Sequence, residues 1–164
     1  MLQRHRRSGF LPNAWVFPGG RVDPTDRLAG NTRIRGGDGL IARMALERPE
    51  AVAYLVAGVR ETFEESGIWL GSGELPWDQR APLNDGDVEL AHLLDSHDAT
   101  VDLDQVHLWS WWITPEAEPK RYDTRFLLAR ADAPGRHDDK ETVASRWVCP
   151  RCAIENASLD VFPT

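Results

Sequence analysis

Three glutamates at the end of a single predicted helix are the residues of this chain best placed to do chemistry. They lie in Val59-Arg60-Glu61-Thr62-Phe63-Glu64-Glu65-Ser66-Gly67-Ile68. At about 100° per residue, Glu61, Glu64 and Glu65 share one arc, centred almost opposite the stripe Val52, Leu55, Val56, Val59 and Phe63. Like charges at these spacings repel by roughly 0.2–0.5 kcal/mol per pair. Anions near a helix C-terminus also oppose the macrodipole. Arg60 offsets part of that cost, but not three charges. A solvated acidic face is the plainer account. The alternative is a seat for a hard divalent cation such as Mg²⁺ or Mn²⁺, whose preferred ligands are oxygens.

A second stretch lies about forty residues upstream. Ala14-Trp-Val-Phe17-Pro18-Gly19-Gly20-Arg21-Val-Asp-Pro-Thr-Asp26 is a short β-prone run ending in Pro-Gly-Gly, where backbone bends sharply and a ligand can approach closely. Taken together, Phe17–Asp26 and Arg60–Ile68 resemble the Nudix box: a glycine, an acid, a spacer, then Arg-Glu-aliphatic-any-Glu-Glu-any-Gly-aliphatic. Every charged and glycine position of the second half matches. Asp26 stands where the family usually has Glu, one methylene shorter, and Thr62 stands where an aliphatic residue is usual. Gly20 and Glu61 are much farther apart than in an uninterrupted box, and the excess falls within residues 27–50. Such interrupted boxes resemble the Nudix branch that contains peroxisomal coenzyme A diphosphatases and their bacterial relatives.

The resemblance implies an α+β fold, the Nudix α/β/α sandwich with a mixed sheet and an apparently shortened first strand, as one domain over residues 1–164. It implies Glu61, Glu64 and Glu65 as metal ligands, with the Gly19 carbonyl as a backbone ligand, for Mg²⁺ or Mn²⁺. Arg60 orients Glu61, while Asp26 and Gly20 support the ligands from behind. The catalytic base is Glu61 or Glu141, the latter in the loop Asp138-Asp-Lys-Glu141 ahead of the run Ser145-Arg-Trp-Val. Arg21, Arg121 and Arg125 are the substrate-binding candidates. The implied reaction is hydrolysis of a nucleoside diphosphate linked to another moiety, with coenzyme A or an acyl derivative as the leading substrate. The competing reading is a catalytically retired Nudix-fold module that binds a nucleotide or serves regulation.

These groups need a scaffold. A chain of 164 residues with 41% hydrophobic and 27% charged residues suits one globular domain. The net charge of −7 argues against nucleic acid or an anionic membrane as partner. No run approaches a membrane span and no signal-peptide pattern is present, so the expected setting is cytoplasmic, with a small-molecule nucleotide substrate; a homodimer is admitted. Pro49 suits the first turn of the helix and Gly67 its stop.

Met1–Arg4 reads as the tail of a strand with nothing preceding it to pair with, which leaves an exposed sheet edge. Within the insertion, Leu40–Arg48 reads as a short helix, and Arg27, Arg33, Arg35 and Arg43 as solvated cations. Gly71–Gly86 reads as a long loop, and Val88–Ser96 as a helix. Val106–Pro115 and Tyr122–Arg130 read as strands, with Trp109, Trp111 and Trp112 explained by a half-buried strand. Cys149-Pro-Arg-Cys152 lacks further zinc ligands and a thioredoxin-like context, so Pro150 is read as starting a helix through Leu159.

Overall fold

The computed structural model describes residues 1–9, 11–118 and 120–155. Its axis is α2 (Arg48–Ser66), with Pro49 in its first turn. The apolar stripe Val52, Leu55, Val56, Val59 and Phe63 is buried as its spacing predicts, and these residues anchor the main core cluster. The helix stops at Gly67, which takes a left-handed conformation (φ 70°) and donates its N–H to the Phe63 carbonyl at 2.7 Å. A side chain at Gly67 would overlap the Trp77 ring, so the position is also sterically reserved. Thr62 donates its hydroxyl to the Gly58 carbonyl at 2.7 Å, which accommodates a polar residue where an aliphatic one is usual.

Short strands form three small sheets around this helix. The first has order β2–β1–β8, from β1 (Leu2–Arg4), β2 (Trp15–Val16) and β8 (Thr142–Ser145), all antiparallel. The expectation of an unpaired first strand is therefore corrected: β1 is the middle strand, with Leu2 facing both Val16 and Ser145. Its partners lie far along the chain, and strand pairing at that separation leaves no local signal. The second sheet, β3–β5–β4, is mixed: β3 (Ile34–Arg35) runs parallel to β5 (Thr100–Asp102), and β4 (Gly71–Ser72) antiparallel to it. The third is the hairpin of β6 (Val106–Ile113) and β7 (Asp123–Ala129).

Several local expectations also change. Within the insertion, α1 covers Asp38–Ile41 rather than residues 40–48, because Gly37 at its N-cap accepts from Ile41 N–H at 2.8 Å and opens the turn earlier. Residues 71–86 contain β4, a 3-10 turn at Trp77–Gln79 and the helix α3 (Arg80–Asn84). Leu83 is buried there, so core packing overrides the loop-like composition. The helix α4 (Leu90–Ser96) follows, burying Leu90, Leu93 and Leu94. The tryptophans are not half-buried: Trp109 is 75% exposed and Trp112 68% exposed. A register shift between Leu108 and Ser110 breaks the alternation that would have hidden one face. Arg33 is not a free cation but pairs with Asp95 and Asp98 of α4 and the turn after it. The last helix, α5 (Pro150–Glu155), begins at Pro150 as expected; its predicted end at Leu159 lies outside the described residues.

Candidate active site

Arg60 is the hub of the charged end of α2. Its side chain is buried, and its fork grips Asp26 with two parallel bonds, Nε to Oδ1 at 2.8 Å and Nη2 to Oδ2 at 3.0 Å. Nη1 donates to Glu64 Oε2 at 2.9 Å and Glu61 Oε1 at 3.1 Å, and Nη2 also reaches the Arg21 carbonyl at 3.0 Å. A planar guanidinium with five donors can hold two carboxylates in fixed orientation while a third anchors it. Burial alone acts against the Arg60 charge, but its bond to Asp26 and the surrounding glutamates raise its pKa on balance.

Asp26 comes to this place through the 3-10 turn Pro24–Asp26. Pro24 starts the turn and Asp26 Oδ2 accepts the Asp23 N–H at 2.8 Å. At 1% exposure it is among the most buried polar groups described. The shorter acid thus reaches Arg60, and through it the glutamates. On the same strand-to-turn segment, Gly19 donates its N–H to Glu65 Oε2 at 3.4 Å. A Cβ at Gly20 would overlap the Glu61 carboxylate, so Gly20 is the residue that lets the backbone close over it.

The glutamates carry more negative charge than the protein neutralises. Burial, reinforced by the neighbouring Glu61, pushes Glu64 up to about 7 even though Arg60 pulls the other way. Burial and Glu61 push Glu65 up to about 8, with Glu141 adding to the effect. Glu61 is raised too, chiefly by burial. Among the described residues no three His, Cys, Asp or Glu side chains converge as a ready-made cation cage. Glu61 and Glu64 instead point an oxygen at Arg60, and Glu65 one at Gly19. A clustered set of hard oxygen donors, whose ionised forms would exceed the charge that Arg60 offsets, fits a hard divalent cation.

Glu141 is delivered by the loop before β8. Asp138 caps that loop, accepting from Glu141 N–H at 3.1 Å, Thr142 N–H at 2.9 Å and Thr142 Oγ1 at 2.7 Å. Lys140 ties the loop to α3 through Asp85 at 2.5 and 2.8 Å. Glu141 then lines, with Arg21, Asp23, Arg60, Glu61 and Glu64, a cavity of about 410 Å³ whose far wall is the α3–α4 connection.

Two predicted substrate contacts lie elsewhere. Arg121 donates Nε to the Thr114 carbonyl at 3.0 Å. The Arg125 side chain is 2% exposed, stacks on Tyr54 and Trp111, and donates to Asp123 Oδ1 at 2.8 Å. Both belong to the β6–β7 hairpin and its seat on α2, and neither lines the cavity.

Sequence reading missed Arg80. It is buried, donates Nε to the Phe63 and Glu64 carbonyls at 3.0 and 3.1 Å, and adds Nη2 to Glu64 O at 2.8 Å. Its guanidinium lies 4.2 Å from the Trp77 ring centroid. It places a cation on the carbonyl end of α2, just where the carboxylates oppose the dipole. Nothing in its local sequence marks it, because its partners are backbone carbonyls of another element.

Known proteins resemble this chain along most of its length. The chain is 31% identical to the acyl-coenzyme A diphosphatase NUDT19 of Gallus gallus, over 94% of this chain and 54% of that protein. It is 30% identical to the Homo sapiens protein of the same name, over 95% and 54%. A putative nudix hydrolase 7 of Caenorhabditis elegans is 28% identical, over 96% and 48%. The chain thus spans about half the length of the curated relatives it matches. A crystal structure of a NUDIX hydrolase from Alicyclobacillus acidocaldarius superposes with a TM-score of 0.82 at 26% identity, covering 99% of this chain and 75% of that one. That likeness establishes the Nudix fold, here with several small sheets. The family model for the NUDT19 Nudix domain matches residues 40–160, a span that begins after the glycine turn and includes all three helix glutamates and Glu141. By that match the chain belongs to the NUDT19 Nudix domain family.

Proposed function

We propose that this chain is a Nudix diphosphatase that cleaves coenzyme A or acyl-coenzyme A with Mg²⁺ or Mn²⁺. The observation that carries the reading is Arg60 holding Glu61 and Glu64, which line one cavity with Glu141, while Glu65 lies beside them on α2 against the Gly19 N–H. The curated relatives named as acyl-coenzyme A diphosphatases support the substrate class.

A diphosphate resists water because its anionic oxygens repel a nucleophile. A divalent cation, when bound, neutralises that charge and lowers the pKa of an attacking water. Glu61, Glu64 and Glu65 are the side chains that would hold it, with Gly19 backbone beside them. The chain's own part is positioning. Arg60 fixes Glu61 and Glu64, Asp26 fixes Arg60, and Gly20 keeps the approach clear. Glu61 or Glu141 takes the proton from the attacking water. The phosphorus–oxygen bridge then breaks to give adenosine 3′,5′-bisphosphate, acylated or free phosphopantetheine being the other product. Arg21 is the cavity cation left for the diphosphate, since every N–H direction of Arg60 is already taken.

The test is a screen of coenzyme A, acyl-coenzyme A, NADH, ADP-ribose and nucleotide sugars with Mg²⁺ or Mn²⁺, beside Glu64→Gln. Hydrolysis of coenzyme A substrates, reduced at least about 100-fold in the variant, is expected by comparison with losses of 10- to 100-fold for groups that only support a ligand. Tight nucleotide binding without hydrolysis of any compound would instead support the retired module, and full activity in Glu64→Gln would remove the metal assignment.

A further inference from the structure

The cavity beside the glutamates has two unlike sets of lining groups. One set is Arg21, Arg60 and the carboxylates; the other is the α3–α4 connection, with Leu83, Asn84, Asp85, Gly86, Val88 and Glu89. That wall is a built surface. Asp87 and Val88 donate their N–H groups to the Pro82 carbonyl at 2.9 and 3.3 Å, and Gly86 donates to the Leu83 carbonyl at 3.0 Å. Leu83 and Leu90 anchor it in the core on either side. Lys140 is already engaged by Asp85, so the wall presents apolar groups, one side-chain amide and acidic groups, and no free cation among the residues that line it.

Coenzyme A is equally unlike at its two ends. One side of its diphosphate carries adenosine with a further 3′-phosphate; the other carries pantetheine, an uncharged arm with two amides. A phosphomonoester dianion would meet the like charge of Glu89 and find Lys140 already held by Asp85, whereas an amide arm would meet apolar contacts and the Asn84 amide. We infer that the α3–α4 wall, centred on Asn84 and Val88, is the subsite for the uncharged amide arm of the substrate, and that the phosphorylated nucleoside leaves the site on the opposite side. The inference rests on the coenzyme A reading above and assigns an orientation to it.

Two variants test it, Asn84→Asp, which adds a charge at nearly constant shape, and Val88→Asp. Each is assayed for the KM of coenzyme A and for the inhibition constant of adenosine 3′,5′-bisphosphate in the same reaction. Asn84→Asp is expected to raise KM about 3- to 10-fold, the worth of one hydrogen bond. Val88→Asp is expected to raise it further, while the inhibition constant of the bisphosphate stays at its parent value in both. A parallel rise in that inhibition constant would seat the nucleoside on the wall and overturn the inference, as would an unchanged KM in both variants. Absence of coenzyme A hydrolysis by the parent protein would overturn the substrate reading, and the inference with it.

Discussion

The C-terminal end of α2 and the β6–β7 hairpin invert the usual distribution of polar and apolar groups. At the helix end, Arg60, Glu64, Glu65 and Asp26 are buried. On the hairpin, Trp109, Trp112 and Ile113 are exposed. The buried charges persist because a single guanidinium satisfies three carboxylates and Arg80 answers the helix carbonyls. The exposed aromatics persist because the hairpin is held otherwise. Arg125 is clasped between Tyr54 and Trp111, and Leu127 reaches the groove that Gly58 opens on α2. Burial thus gathers charge at the candidate site, and exposure is tolerated at the other.

The largest effect should follow from breaking the charged end. Arg60→Ala removes the partner of two buried carboxylates, Asp26 and Glu64, and of the partly buried Glu61, and should destabilise the protein by about 3–5 kcal/mol, read as a drop in denaturation midpoint. Arg60→Lys should recover only part of it, because a point charge cannot hold Asp26 with two parallel bonds. A loss below about 1 kcal/mol in Arg60→Ala would mean that the carboxylates do not depend on the hub.

A smaller effect is expected where the charge cluster meets its surroundings. Asp85→Asn or Lys140→Met unties the Glu141 loop from α3. Because that pair is half exposed, stability should change by no more than about 1 kcal/mol. Turnover should fall several-fold in either variant, and the charge-swapped pair Asp85→Lys with Lys140→Asp should restore it. Unaltered turnover in both single variants would show that the clasp does not position Glu141.

The hairpin should give least. Trp109→Ser and Trp112→Ser remove large apolar groups that are mostly in water, so stability should move by about 0.5 kcal/mol or less. A loss of more than about 2 kcal/mol would place these rings in a contact that the present fold lacks.

The same contrast explains what could be read in advance. The bounds of α2 were legible because Pro49, the apolar stripe and Gly67 are local signals. Asp26, Gly20, Glu61 and Glu64 were legible as a group because the two halves of the motif resemble one family pattern despite the insertion between them. The place of β1 between β2 and β8 was not, since pairing of Leu2 with Ser145 is decided by tertiary packing. Arg80 was invisible for the same reason. The exposure of Trp109 depended on a register shift that alternation alone does not reveal. Arg121 and Arg125 were named from likeness in a short motif, and the structure places their side chains in contacts of the hairpin rather than on the cavity lining.

The central claim is that the glutamate cluster carries charge meant for a divalent cation, and proton release tests it most directly. Glu64 and Glu65 have folded-state values near 7 and 8, above the ordinary 4.5. Between those values the metal-free folded protein holds more protons than the unfolded chain, so its stability should fall as pH rises from about 4.5 to about 8. Mn²⁺ should bind by displacing those protons, tighter at pH 8 than at pH 6. Calorimetric titration with Mn²⁺ at pH 7, in two buffers of different ionisation enthalpy, should therefore show net proton release that shrinks in Glu64→Gln. Binding without proton release, or binding equal in parent and variant, would contradict the account.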